Sequence, residues 1–362
     1  MATTIEPKFV YAGVTRWGGG ASKTAKPDTL GGVFRMKLGE YRWEHLMNGF
    51  PDIIHVHCIT VHPNDKSVIF AGTQDGPFRS FDRGEHWERM QFSPRDLQVW
   101  SIAYHPRNPR IMFAGTSPVG VYRSADGGEN WSPVSSVNAP DRLEMGTFVN
   151  RVMRIAIDPN KPEEMYAALE VNGAMRSFDD GATWTDCSTG LVALADRPDL
   201  KSMILTPFES EGMLDAHAVC VNPVGQGGPI IATRMGLFAS PNQGGHWQDL
   251  NVKRFSPLTY SRDIRVSPQD PATLYACLSV SSQGTTGSVC RSTDSGATWK
   301  RFDHSVEPKS TVMAVGLHPD NPDVVFYAAR QGQVFGTEDG GRSWREHAMP
   351  SGCIGVYAIA CG

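Results

Sequence analysis

The octapeptide Ser124-Ala125-Asp126-Gly127-Gly128-Glu129-Asn130-Trp131 decides how this chain folds, because it recurs. Its first, third, fifth and eighth positions return at Ser80, Asp82, Gly84 and Trp87, and again at Ser177, Asp179, Gly181 and Trp184. They return once more at Ser240, Asn242, Gly244 and Trp247, at Ser292, Asp294, Gly296 and Trp299, and at Thr337, Asp339, Gly341 and Trp344. Each copy follows a short apolar strand such as Gly120-Val121-Tyr122-Arg123. An aspartate in such a turn accepts neighbouring backbone N–H groups, and the glycine supplies the positive φ that a hairpin needs. The tryptophan is then free to pack between adjacent sheets.

A second repeat lies between the copies of the first. Val56–Pro63, Val99–Pro106, Val152–Pro159, Ala216–Pro223, Ser261–Pro268 and Val312–Pro319 are apolar strands closed by an X-Pro turn. A seventh strand of this kind, Val356–Cys361, stands at the C-terminus with nothing behind it, while Phe9–Ala12, Gly32–Arg35 and Tyr41–Trp43 stand at the N-terminus with no inner strand of their own. Near them Met36-Lys37-Leu38-Gly39 occupies the place of a turn motif without matching it.

The turn motif resembles the Asp-box, or BNR, repeat of sialidases, family-74 xyloglucanases, sortilin-type receptors and photosystem II assembly factors. That resemblance implies a propeller with each box between the third and fourth strands of a blade. The expected fold is all-β, a single seven-bladed β-propeller over residues 1–362 with four-stranded antiparallel blades. The C-terminal inner strand joins the N-terminal outer strands, which closes the ring and removes a sheet edge. The aspartates of the motif are read as structural, and a shared fold transfers no activity.

Composition narrows the function classes. A formal charge of −4 over 362 residues gives no polyelectrolyte footprint, so nucleic acid is not an expected partner. No run approaches the roughly 18 apolar residues of a membrane span, and Met1–Val10 lacks a basic-then-apolar leader pattern. Seven cysteines without a CxxC pair read as reduced thiols, which sets the expected location as cytoplasmic.

Propellers gather a site where the inner strands begin. Six residues before each turn proline stand His57, Trp100, Met153, His217, Arg262 and Met313, with Tyr357 by alignment. Two residues earlier stand His55, Gln98, Arg151, Asp215, Tyr260, Thr311 and Gly355, read as the more exposed ring. Loops between second and third strands add Arg16, Trp17, Gln74, Asp75, Glu170, Arg234, Arg330 and Gln331, and two long insertions, 16–30 and 188–214, belong to the same face.

Arginine forks suit carboxylate or phosphate groups. Arg16, Arg151, Arg234, Arg262 and Arg330, with Trp17, Gln98, Trp100 and Glu170, are therefore candidate substrate-binding residues. His57, His217, Asp215 and Tyr357 are candidate catalytic residues for acid–base chemistry. A divalent metal on His55, His57 and His217 is the other reading, with Gln98 or Asp215 as a further ligand. Oligogalacturonate lyases resemble this chain in architecture only. Sialidases are six-bladed with an arginine triad and a Tyr–Glu pair, and family-74 enzymes set their cleft between two propellers, so neither catalytic set maps here. Two functions remain open. One is a hydrolase or lyase acting on a small or oligomeric anionic substrate, such as an acidic sugar; the other is a non-catalytic binding or assembly propeller.

Overall fold

The repeated turn takes the form its residues dictate. In the copy at 124–131, Ser124 Oγ donates to Asp126 Oδ1 at 2.8 Å and accepts the Gly128 N–H at 2.9 Å. Asp126 also accepts the Asn130 N–H at 3.0 Å and the Asn130 side-chain amide at 2.8 Å. The same lock forms around Asp82, Asp179, Asp294 and Asp339. The residue before the glycine is also left-handed: φ is 82° at Gly127 and 92° at Gly128. Arg83, Asp180, Gln243 and Ser295 hold that first position with φ of 58–62°, so glycine is not obligatory there. It is at the second position, where a Cβ on Gly128 would lie 2.8 Å from Phe70 Cε1 of the preceding blade.

The structure, a computed structural model, describes residues 8–16, 28–140, 148–224 and 227–362. Its strands form seven antiparallel sheets of four strands, one of which gains a fifth strand. Blade 1 combines Phe9–Val14, Gly32–Lys37 and Trp43–Leu46 with the C-terminal strand Val356–Cys361, whose Ile359 pairs with Ala12. Blades 2 to 7 start at inner strands Val56–Val61, Gln98–His105, Arg151–Ile157, Ala216–Val221, Tyr260–Val266 and Val312–Leu317. Each inner strand packs on that of the next blade, and Val356–Cys361 packs on Val56–Val61, so the ring closes as expected. The extra strand, Ser136–Asn138, runs parallel to Thr183–Asp186 on the outside of blade 4.

Seven apolar cores lie between consecutive blades. Trp87, Trp131, Trp184, Trp247 and Trp299 are each buried in the core between their own blade and the one before. Trp344 is half-buried against the core of blades 6 and 7. Blade 1 lacks the turn motif but keeps the tryptophan: Trp43 packs on the core between blades 7 and 1 and donates Nε1–H to the His347 carbonyl at 3.0 Å. The expected third outer strand at 41–43 begins instead at Trp43, because Tyr41 sits in a turn with φ of 54°.

The seven inner strands share one irregularity. Their pairing skips a residue at the same place in every blade, at His57, Trp100, Met153, His217, Arg262, Met313 and Tyr357. A β-bulge there turns the extra side chain out of the pleat. The seven bulged residues all line a constriction of about 80 Å³ in the central channel.

Candidate active site

Above the constriction the channel widens into a mouth of about 320 Å³. Eight of the expected site residues share it: Trp100, Arg151, Glu170, Asp215, Arg234, Arg262, Arg330 and Tyr357. Tyr260, Phe148, Val171, Ile204, Leu205, Ser282 and Gln283 complete the wall. Most of the ring expected to be more exposed is buried: His55, Arg151, Asp215 and Tyr260 are each at most 4 % exposed, and Gln98 is half-buried.

Ion pairs order the mouth. Arg151 Nε lies 2.8 Å from Glu170 Oε2 while its guanidinium rests 4.3 Å over the Trp100 ring. Arg262 Nη1 is 3.8 Å from the other Glu170 oxygen. Arg234 donates Nε–H to Asp215 Oδ2 at 2.9 Å. Arg262 and Arg330 stand 5.8 and 5.9 Å over the Tyr357 ring. Four arginines against two carboxylates leave the wall with a formal charge of +2 when His217 is neutral.

At the base of this wall Asp215, His217 and Tyr260 form a chain. His217 Nδ1 is 2.7 Å from the Ser261 carbonyl, which only accepts, so Nδ1 carries a hydrogen. Nε2 then faces the Tyr260 hydroxyl at 3.3 Å and Asp215 Oδ2 at 3.3 Å. Burial alone raises a carboxyl pKa, but the hydrogen bond and charge of His217 when that ring is protonated, together with the standing charges of Arg234 and Arg262, outweigh it and hold Asp215 below the usual range. Burial pushes the Tyr260 phenol up to about 12.

The remaining expected residues lie elsewhere. His57 stacks on Trp100 at 3.8 Å, points Nδ1 at the Val99 carbonyl, and lines the constriction rather than the mouth. Burial, then Arg151 and His55, lower its pKa well below the ordinary value, so it is a neutral platform for the indole. His55 accepts the Arg16 N–H on Nδ1 at 3.0 Å, and burial followed by the Arg16 charge lowers its pKa to about 4. Arg16 itself binds the carbonyls of Thr29 and Asp52, at 2.9 and 3.3 Å, and does not line the mouth. Gln98 accepts from Trp100 Nε1 at 3.1 Å and so positions the indole. Trp17 lies outside the described residues.

The three-histidine metal set is not assembled. His55 and His57 were expected to share a face; His57 stands at the bulge and His55 Nδ1 is occupied by the Arg16 N–H, and the three histidines are not among the groups whose ligand atoms converge. Among the described residues, the one group with ligand atoms within 4.8 Å of one another is Glu170, Asp215 and His217. Both of its carboxylates are already held by arginines, whose charge opposes a dication.

The second insertion is helical where a loop was expected: Thr189–Leu194 and Glu211–Leu214 are short α-helices flanking a lobe at 202–210. Glu211, fully buried, accepts the N–H groups of Ile204, Leu205 and Thr206 and the Thr206 hydroxyl, the last at 2.7 Å. That carboxylate pins the Ile204–Leu205 tip against the mouth. Met203, Leu205 and Phe208 on the lobe are exposed.

A closed ring of seven four-stranded blades with a polar mouth on one face defines the chain as a seven-bladed β-propeller. Its similarity runs to carbohydrate hydrolases: a xyloglucanase of Hypocrea jecorina is 24 % identical over 331 residues, covering 79 % of this chain and 38 % of the relative. The chain thus spans about two-fifths of that relative's length. Among solved structures, the GH74 xyloglucanase from Xanthomonas campestris superposes with a TM-score of 0.59 at 18 % identity, covering 97 % of this chain and 55 % of the other. YCF48 from Cyanidioschyzon merolae superposes with a TM-score of 0.53 at 14 % identity, covering 83 % and 86 %. No protein-family profile matches the chain. At these identities the structural likeness is one of fold.

Proposed function

We propose that this propeller is a carbohydrate-active enzyme that binds a carboxylated sugar in the mouth and cleaves it by elimination. The observation that carries the reading is the surplus of guanidinium charge around Tyr260 and the Asp215–His217 pair. The xyloglucanase relatives support a saccharide substrate, and the arginines support an acidic one. Of the two reaction types, hydrolysis needs one protonated carboxyl beside an ionised one. Both mouth carboxylates are arginine-paired, and Asp215 is held ionised.

Elimination makes different demands, which these residues meet. Arg262 and Arg330 neutralise the substrate carboxylate, which acidifies the hydrogen on the carbon bearing it. That hydrogen passes to the Tyr260 oxygen as the Tyr260 hydroxyl hydrogen passes to His217 Nε2. The imidazolium so formed is stabilised by Asp215. The electron pair left on carbon becomes the new C=C bond, the adjacent C–O bond breaks, and the departing oxygen takes a proton from Tyr357 or water.

The test uses 4-linked uronate oligosaccharides against neutral ones of equal length, followed by ultraviolet absorbance of the conjugated product and by calorimetric binding. Tyr260→Phe is expected to retain binding and lose turnover. Arg262→Met is expected to weaken uronate binding about 10–100-fold, the loss of one charge-assisted hydrogen bond. Saturable binding with no product from any uronate identifies a binding propeller instead. Equal affinity for acidic and neutral sugars removes the basis of the reading.

A further inference from the structure

Below the ring of bulged residues the channel opens again, toward the X-Pro turns, into a cavity of about 420 Å³. Lys66, Arg154 and Arg265 line it, and among the described residues no acidic side chain does. Asp263 lies behind them with no exposed surface, whereas the Arg154 and Arg265 side chains keep 22 % and 37 % of theirs. The Asp263 carboxylate is fully used. It accepts the Ile264 and Val315 N–H groups at 3.0 and 3.2 Å and Arg265 Nε–H at 3.1 Å, and it is ion-paired with Arg154 Nη2 at 3.3 Å. A carboxylate offers about four acceptor sites, so none is left over.

One buried negative charge therefore faces two guanidiniums and the Lys66 ammonium, which is tethered to the Pro63 carbonyl at 2.8 Å. Burial, and then the positive charge of Arg265, lower the Arg154 pKa to about 10, as expected for cations short of a counter-charge. The other groups on this stretch of wall are apolar or already bonded; Thr60 Oγ1, for example, donates to the Ile102 carbonyl at 2.9 Å.

We propose that this far end of the channel is a second anion site, separate from the mouth, for a doubly charged oxyanion of phosphate type. The formal excess of two positive charges matches a dianion, and guanidinium forks match adjacent phosphate oxygens. The ring of seven bulged side chains stands between it and the mouth, and the two cavities share no lining residue. The oxyanion is either free phosphate or the terminal group of a phosphomonoester.

Calorimetric titration of the full chain with inorganic phosphate at low ionic strength tests the site, with glucose 6-phosphate as the second arm. One saturable equivalent is expected, weakened at least tenfold by Arg265→Gln and by Lys66→Ala and unchanged by Arg234→Gln in the mouth. Arg265→Gln leaves Arg154 to hold Asp263, and Lys66→Ala touches no part of that network, so a folded variant is available. Tighter binding of glucose 6-phosphate assigns the site to a phosphomonoester, and equal or weaker binding assigns it to the free ion. Absence of saturable phosphate binding, or binding lost in Arg234→Gln but kept in Arg265→Gln, overturns the proposal. None of these outcomes depends on sugar turnover.

Discussion

Replacing Gly127 and Gly128 by alanine, one at a time, separates the two constraints on the repeated turn. Both residues have φ near 90°, where an L side chain costs about 1–2 kcal/mol. Alanine also restricts the unfolded chain, which returns about 0.4–1 kcal/mol. At Gly127 nothing lies within 4 Å of the added Cβ, so the sum stops there. Gly127→Ala should therefore cost about 1 kcal/mol. At Gly128 the Cβ meets Phe70 Cε1 at 2.8 Å and Cζ at 3.1 Å, and overpacking of that kind adds about 1–3 kcal/mol. Gly128→Ala should then cost about 2–4 kcal/mol. Urea denaturation reads both through the transition midpoint, provided the slope is unchanged. A third variant, Phe70→Leu, makes the mechanism explicit: combined with Gly128→Ala it should recover about 0.5–3 kcal/mol of coupling. Equal losses at 127 and 128, or no coupling to Phe70, would refute the argument that close approach between blades fixes the second glycine.

Trp184 is fully buried between blades 3 and 4, and Trp184→Ala should lower stability by about 3–5 kcal/mol; a parental denaturation midpoint would show that it does not pack there. The Asn130 side chain, the Asn130 N–H and the Ser124 hydroxyl lower the Asp126 pKa from 3.8 to about 2. Because the folded value is the lower one, this contribution to stability is present above pH 3.8 and is lost as pH falls through about 2. Asp126→Asn should accordingly flatten the acid limb of the stability–pH curve in that window, and an unchanged curve would exclude the carboxylate as a contributor. Glu211→Gln should free the lobe at 202–210, costing about 1–3 kcal/mol in a buried hydrogen-bond network and speeding amide exchange at Ile204, Leu205 and Thr206. Unchanged exchange at those three amides would show that Glu211 does not hold the tip.

The fold was legible in the residues because its parts are local. A serine, an aspartate, a glycine and a tryptophan at fixed spacing set each turn and each interblade contact. The unpaired strand at 356–361 and the three strands without an inner partner could be matched on paper, and the ring closes as they require. Blade 1 was the exception in detail: Trp43 supplies the interblade indole without the turn, which only packing reveals.

The site was legible in membership and obscure in arrangement. Counting back from the turn prolines finds six of the seven bulged residues and alignment of the last strand finds Tyr357, since every inner strand carries its bulge at one register; it misses Arg154 and Arg265, which line the same constriction. Spacing cannot show the bulge itself, so His55 and His57, two apart, read as neighbours on one face although His57 stands at the bulge and His55 Nδ1 is taken by the Arg16 N–H. Nor does sequence indicate that Tyr260 reaches His217, or that Arg154 and Arg265 from blades 4 and 6 share Asp263. Turn chemistry and strand count are properties of short segments, so the sequence by itself determined the propeller. Which charges meet across the channel depends on blades far apart in the chain, and only ring closure brought them within hydrogen-bonding distance.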